Sequence, residues 1–286
     1  MAIVRPINLI IILLTMIVVQ SNIYAHAEQD MRLGFQWWLK LLIMLILAAS
    51  GNVINDIWDE KVDAINKGSK QLMGRVISLQ QAKRLYGILI FFLFILSFQI
   101  FLVTQKAVLL WVPLAMAVGL YIYTPVFKRF TWLGNIWVSA CIGFVPLWVM
   151  LGKWNWTFQS ETFIRILFLS LMAFVVNWIR EIVKDMMDAN GDRQCGYQSL
   201  SIAYGDSFAI KVVRILLILL LLLILGYIFI CDQRNGGVYV ALVLLWIPCV
   251  GLLWKTTRFW SKTSPKKVSF FLKSWMLLAL IQFYFS

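Results

Sequence analysis

Long runs of apolar residues constrain this chain more than any other feature of its sequence. A helix needs about 20 mostly apolar residues to cross the hydrocarbon core of a bilayer. Nine segments meet that requirement, near residues 7–25, 35–55, 85–104, 107–124, 131–152, 161–180, 211–231, 237–254 and 268–286. Only 14% of the residues are charged, whereas an ordinary soluble domain has about 25%. The sequence therefore predicts an all-α, polytopic membrane protein, a bundle of nine transmembrane helices forming a single domain over residues 1–286.

The distribution of basic residues predicts how these helices are oriented. Nine spans place the segments 56–84, 181–210 and 255–267 on the same side as the N-terminus and the 125–130 turn. That side carries 19 of the 26 lysines and arginines, and such residues are enriched in the cytoplasmic loops of membrane proteins. We therefore expect cytoplasmic catalytic loops and an inner-membrane location.

This enrichment of lysine and arginine in cytoplasmic loops also accounts for the net charge of +13. A soluble protein with this charge would suggest a nucleic-acid partner, but no basic helix with interleaved aromatic residues is present here, and we expect no nucleic acid. His26 is the single histidine and the four cysteines lack a CxxC spacing, which argues against zinc. Residues 1–27 also have features of a cleavable signal peptide, although the apolar run is long enough to remain as a first span.

Carboxylates are concentrated in two short windows, each directly after a predicted span. Eight of the 13 aspartates and glutamates lie there: Asp56, Asp59, Glu60 and Asp63 in the first, and Glu181, Asp185, Asp188 and Asp192 in the second. With Asn55, the first window has polar residues at i, i+4 and i+8. The second has them at i, i+3 and i+7. Both spacings place the side chains on one face of a helix.

These two stripes suggest chemistry on phosphates. Mg²⁺ prefers oxygen ligands and commonly bridges one or two carboxylates to substrate phosphates. Two facing stripes could hold a magnesium–diphosphate unit between them, with basic side chains contacting phosphate oxygens. The alternative is a pair of solvated acidic helix ends. The basic candidates, which could equally be charges that set the topology, are Lys70, Arg75, Lys128, Arg129 and Lys184.

The two windows resemble the signature motifs of the UbiA superfamily of intramembrane prenyltransferases. Residues 55–63 (NDIWDEKVD) are similar to the first motif, NDxxDxxxD, and residues 184–200 are similar to the second, KDxxDxxGDxxxGxxSL. Residues 123–128 (YTPVFK) are similar to a Tyr-Ser-x-x-x-Lys turn, and residues 5–8 (RPIN) are similar to the family's N-terminal start. The resemblance covers nearly the whole chain, and the family also has nine spans.

This resemblance implies roles for individual residues, with Mg²⁺ as the cofactor. The implied metal ligands are Asn55, Asp56, Asp59, Asp63, Asp185, Asp188 and Asp192. The implied diphosphate contacts are Asn55, Lys70, Lys128 and Lys184. The implied catalytic residues are Asp59, Asp63, Asp185, Asp188 and Tyr123, with the tyrosine near the reacting carbon.

One segment departs from the family pattern. Residues 66–72 read NKGSKQL, where the family often has Asn-Lys-Pro-x-Arg-Pro-Leu. Both prolines are missing, and Lys70 stands where an arginine is usual. Lysine keeps the charge but lacks the planar, bidentate fork of arginine, so the geometry of this phosphate contact is expected to differ.

The resemblance implies transfer of a prenyl group from a polyprenyl diphosphate donor to an amphiphilic acceptor in membrane lipid. The second motif is most similar to the branch that prenylates geranylgeranylglyceryl phosphate, and this or a similar glycerol phosphate is the first expectation. An aromatic acceptor of quinone biosynthesis, of the 4-hydroxybenzoate or naphthoate type, is the alternative. A cation transporter is the third hypothesis, because intramembrane carboxylates often mark ion paths.

Overall fold

The computed structural model describes residues 2–27, 34–68, 73–74, 76–152, 161–230, 246–252 and 265–285. These residues are almost entirely helical and include no β-strand. The helices are α1 (Pro6–Ala27), α2 (Phe35–Trp58), α3 (Glu60–Lys67), α4 (Leu79–Thr104), α5 (Ala107–Tyr123), α6 (Leu133–Met150), α7 (Glu161–Gln194), α8 (Leu200–Tyr204), α9 (Asp206–Ile230) and α10 (Pro265–Phe285), with 3-10 turns at Ala2–Val4 and Phe127–Arg129.

The predicted all-α membrane architecture is confirmed in its main features. Six helices (α1, α2, α4, α6, α7 and α9) are long and apolar enough to cross a bilayer, while α5 and the apolar part of α10 are shorter. Eight of the nine predicted spans thus coincide with a helix. The span predicted at 237–254 lies outside the described residues except for a helical piece at 246–252, so the number nine stays a prediction.

The outer surface of the bundle is suited to lipid. Helix α4 exposes Phe91, Phe92, Phe94 and Phe98 along its length. An apolar patch of this extent is rare on a soluble monomer. These side chains therefore identify α4 as a lipid-facing helix at the periphery.

Helix α7 is the central element of the bundle. It packs against α6, α9, α10 and α3, and α1 joins the end of the chain through a hydrogen bond from Asn22 Nδ2 to the carbonyl of Phe283, 3.3 Å long. With 34 residues, α7 is about 51 Å long at 1.5 Å per residue, whereas the hydrocarbon core is about 30 Å thick. Its C-terminal part, with the second acidic motif, therefore extends beyond the membrane core.

In the segments predicted as loops at 56–84 and 181–210, the described residues are largely helical, whereas most of the third segment, 255–267, lies outside the described residues. Helix α2 ends at Trp58, but the backbone N–H of Asp59 still donates to Asn55 (2.8 Å) and that of Asp63 to Asp59 (2.8 Å). Because these i to i−4 hydrogen bonds continue through the turn, the stripe from Asn55 to Asp63 keeps its helical register into α3.

Asn66 fastens α3 to α7. Its Nδ2 donates to the carbonyl of Asp188 (3.0 Å), and its Oδ1 accepts from the backbone N–H of Gly191 (3.0 Å). A Cβ at Gly191 would lie 2.6 Å from Asn66 Nδ2 and 2.9 Å from the carbonyl oxygen of Val62. Glycine is therefore required for the two helices to approach this closely, and this approach brings the acidic motifs together.

We expect Gly191→Ala to loosen the contact between α3 and α7. The added methyl group overlaps a backbone carbonyl that cannot rotate away, and overpacking of this kind costs about 1–3 kcal/mol. Thermal unfolding in detergent should show a lowered midpoint. Gly87→Ala in α4 makes the same chemical change where nothing lies within 4 Å of the new Cβ, so this variant should unfold at the same temperature as the unmodified protein or at a higher one. Equal midpoints for the two variants would contradict the packing argument.

Candidate active site

Lys128 lies between the acidic residues and two tyrosine rings. Its Nζ is 2.7 Å from Oδ1 and 2.6 Å from Oδ2 of Asp59, and both side chains are largely buried. Asn55 Nδ2 donates to the same carboxylate at 3.0 Å. The rings of Tyr123 and Tyr197 have their centroids 5.5 and 5.4 Å from the ammonium nitrogen. The short turn after α5 is thereby joined to the turn between α2 and α3.

Both acidic motifs act on the Lys128 ammonium group. Burial lowers its pKa, but the charge and hydrogen bonds of Asp59, with the charges of Asp192 and Asp185, more than offset this and raise the pKa above its ordinary value. Asp59 comes from the first motif, whereas the other two aspartates come from α7. The two motifs therefore meet at one cation, which stays protonated at neutral pH.

The segment after α7 covers this cluster. The backbone N–H of Tyr197 donates to the carbonyl of Asp192 (2.9 Å), and that of Gln198 donates to the carbonyl of Lys128 (3.0 Å). Burial, together with the nearby charge of Asp59, raises the pKa of the Tyr197 phenol to about 12, so this side chain is a neutral hydrogen-bond donor at physiological pH.

Helix α6 positions the second motif. The buried Asn135 donates from Nδ2 to Oδ2 of Asp185 at 2.9 Å. The preceding residue is Gly134, where a Cβ would come within 3.1 Å of the Tyr123 ring. A small residue here lets the start of α6 lie against Tyr123. Asp63 and Asp188 belong to α3 and α7, which pack against each other.

The remaining predicted residues have different surroundings. Asp56 forms a 2.6 Å ion pair with Arg5, which ties the N-terminal segment to α2, and its predicted role as a metal ligand stays a prediction. Lys184 Nζ is 3.9 Å from Oε2 of Glu181. Lys70 lies outside the described residues.

The carboxylates fit a metal that is shared with a substrate better than one enclosed by protein. Among the described residues, no three or more Asp, Glu, His or Cys side chains converge on one point. Mg²⁺ requires no such cage, because it usually takes one or two carboxylates together with water and phosphate oxygens. The oxygen-rich side chains from two elements around Lys128 suit that mode of binding.

An apolar cavity leads away from this cluster into the bundle. It has a volume of about 120 Å³, and we call it the first cavity. Its polar end contains Asn55, Tyr123, Arg180 and Lys184, and its deeper walls include Met44, Leu47, Met116 and Val145. A smaller polar cavity of about 20 Å³ lies between Lys128, Asp185, Asp192 and Tyr197. Tyr123 lines both cavities and thus separates the charged cluster from the apolar chamber.

Three polar residues at the site were not predicted from the sequence. Asn66 continues the first stripe at i+3 from Asp63, so extending the helical periodicity by one turn would have found it. Asn135 is a polar residue within an apolar span, which is itself a signal of function. Tyr197 carries no signal in the sequence, because only the fold brings it to Lys128.

Comparisons with known proteins agree with the geometry. Residues 9–280 match the model of the UbiA prenyltransferase family. The chain is 30% identical to a digeranylgeranylglyceryl phosphate synthase from Methanobrevibacter smithii (86% of this chain and 84% of the relative) and 31% identical to one from Methanocaldococcus jannaschii (86% and 82%).

Solved structures have the same fold. A structure described as that of digeranylgeranylglyceryl phosphate synthase is 27% identical, with a TM-score of 0.70, covering 99% of this chain and 95% of its own. A UbiA homologue from Archaeoglobus fulgidus bound to GPP and Mg²⁺ is 15% identical, with a TM-score of 0.63 over 99% and 96% of the two chains.

The family model extends over almost the entire chain, and relatives about 30% identical share most of its length. The sequence resemblance based on the two acidic motifs is thus confirmed. This integral membrane enzyme belongs to the UbiA prenyltransferase family.

Proposed function

We propose that this enzyme transfers a prenyl group from a polyprenyl diphosphate to a glycerol-phosphate acceptor, best geranylgeranylglyceryl phosphate, with Mg²⁺ as the cofactor. One observation carries the proposal: both acidic motifs act on Lys128 in a small polar cavity, and Tyr123 separates this cavity from a larger apolar one. A prenyl diphosphate has the same division into an anionic head and an apolar tail.

The donor would bind with its diphosphate beside Lys128 and its tail in the first cavity. The metal would be held by Asn55 with Asp59 and Asp63, and by Asp185 with Asp188 and Asp192. When bound, Mg²⁺ acts as a Lewis acid that neutralises charge on the leaving diphosphate. The structure of the Archaeoglobus fulgidus homologue bound to GPP and Mg²⁺ supports a prenyl diphosphate donor and Mg²⁺ as the cofactor.

Lys128 would exchange partners when the donor binds. In the structure it neutralises Asp59, with Nζ within 2.7 Å of both carboxylate oxygens. A phosphate oxygen beside Nζ would take over this cation through a charge-assisted hydrogen bond. The oxygens of Asp59 would then be available to the metal. Lys184, at the polar end of the first cavity, would supply a further positive charge.

Tyr123 would stabilise the positive charge that develops on the reacting carbon. The residue is buried and lies where the polar and apolar cavities meet. Departure of diphosphate leaves positive charge on the allylic carbon, and the face of an aromatic ring attracts such a charge. The surrounding apolar side chains exclude water, which would otherwise capture the cation.

The acceptor and the orientation rest on separate arguments. Relatives named digeranylgeranylglyceryl phosphate synthase support a glycerol-phosphate acceptor. The clustering of basic residues on the side that carries the acidic motifs supports an active site facing the cytoplasm. We infer that residues 1–286 form one catalytic domain in the inner membrane.

The acceptor is tested by incubating purified protein with geranylgeranyl diphosphate and a panel of acceptors, followed by mass analysis of the products. We expect a product from geranylgeranylglyceryl phosphate and release of pyrophosphate. A product from 4-hydroxybenzoate or a naphthoate alone would contradict the proposed acceptor and favour the quinone alternative. Ion flux without any pyrophosphate release would contradict prenyl transfer by this chain.

Substitution of the aspartates tests the metal-binding roles. Asp59→Asn and Asp188→Asn keep the shape of each side chain but remove the negative charge, and we expect kcat to fall about 100-fold or more. Asp206→Asn, at the exposed start of α9, makes the same change outside the site and should leave kcat unaltered. Near-normal turnover in both site variants would exclude these roles.

Metal removal tests the cofactor independently of any substitution. We expect EDTA to abolish transfer and excess Mg²⁺ to restore it, because the departing diphosphate then has only lysine side chains to neutralise it. The measurement is product formation before chelation, after chelation and after addition of Mg²⁺. Activity that persists through chelation would rule out the proposed metal dependence.

A further inference from the structure

A second apolar cavity leaves the same polar rim in another direction. It has a volume of about 70 Å³ and lies between α1, α6, α7 and α10. Its walls share Ile12, Ile142 and Val145 with the first cavity, and Arg180 lines both. Two apolar cavities thus adjoin at one charged residue, Arg180.

The entrance to this second cavity has an excess of positive charge. Arg180 is 3.4 Å from Oε1 of Glu181, and the same carboxylate also faces Lys184 at 3.9 Å. Lys273 lines the second cavity from α10 and forms no hydrogen bond or ion pair with any residue in the described parts of the chain. Two cations, Arg180 and Lys273, thus line the second cavity and no described carboxylate does, whereas Glu181 and Lys184 line the first cavity. Lys273 is only partly buried, so its ammonium group remains accessible to an anionic ligand in this cavity.

We propose that Lys273 and Arg180 bind the phosphate of the acceptor, and that the second cavity receives the part of the acceptor's isoprenoid tail nearest that phosphate. This inference rests on the proposed function and adds the residues that select the acceptor. A phosphate monoester carries a charge of about −1.5 to −2 near pH 7, which the two cations Arg180 and Lys273 can neutralise. Arg180 is held for this role by a 2.6 Å hydrogen bond from Nη1 to Oδ1 of Asn177.

The two anionic groups would be recognised in different ways. The donor diphosphate lies among aspartates and needs a divalent metal to bind there. The acceptor phosphate meets a surplus of lysine and arginine and needs no metal. A small aromatic acid has neither a dianionic group nor a long tail. It would therefore neither neutralise both cations nor fill the second cavity.

Equilibrium binding in EDTA tests the inference without turnover. Purified protein in detergent is titrated with radiolabelled geranylgeranylglyceryl phosphate, and separately with geranylgeranylglycerol, which lacks the phosphate. We expect the phosphate-bearing lipid to bind about tenfold more tightly or better. Lys273→Gln should remove most of this difference, and Lys273→Arg should keep it. Equal binding of the two lipids by the unmodified protein, or binding that requires Mg²⁺, would overturn the proposal.

Steady-state kinetics separate acceptor recognition from general damage. In Lys273→Gln we expect the acceptor KM to rise about tenfold while the donor KM is unchanged. Lys211→Gln, an exposed lysine on α9, is the matched control and should change neither constant. Retained donor binding in the presence of Mg²⁺ shows that a variant is folded. Lys273→Met serves as a second variant that lacks the positive charge at this position.

The outcomes distinguish this inference from the proposed function. A rise in donor KM, or an unchanged acceptor KM, with geranylgeranylglyceryl phosphate still the substrate, would overturn only the role of Lys273 and Arg180. Failure of the enzyme to use any glycerol phosphate would overturn both proposals.

Discussion

The ion pair between Lys128 and Asp59 is the interaction on which the site depends. It joins the turn after α5 to the turn between α2 and α3, and both partners are largely withdrawn from solvent. Removing one partner of a buried pair commonly costs about 3–5 kcal/mol, because the other charge is left uncompensated. Aspartates from α7 act on the same ammonium group, so three separate parts of the chain converge on one cation.

The packing of α3 against α7 stabilises this arrangement. Asn66 bridges α3 and α7 with two hydrogen bonds, and Gly191 provides the space for them. These contacts fix the separation of two acidic helices that would otherwise repel each other. The apolar bundle contributes differently, since its chambers determine where uncharged tails can lie. Acidic helix ends beside an apolar interior suit a donor with an anionic head group and a long apolar tail.

The sequence predicted the acidic stripes well because helical periodicity is a local property. Asn55, Asp59 and Asp63 keep their register through the turn at the end of α2, as their spacing implied. The polar segments at 181–210 were less well predicted. Hydropathy reports where a chain leaves the lipid, not where a helix ends, and α7 continues as a helix to Gln194. Contacts such as Asn135 with Asp185, or Tyr197 with Lys128, depend on tertiary packing that no local pattern encodes.

With the proposed acceptor, the distribution of charge would also allow one enzyme to distinguish two anionic lipids. A glycerol phosphate placed among the aspartates would be repelled unless it captured the metal, and a diphosphate at Lys273 would find too few positive charges. Each head group would therefore have one favourable position, and each tail would enter its own cavity. Because both cavities open at Arg180, the acceptor hydroxyl would lie near the allylic carbon only when each lipid occupies its own chamber. Discrimination between the two lipids and their alignment for reaction would thus follow from the same arrangement of charges.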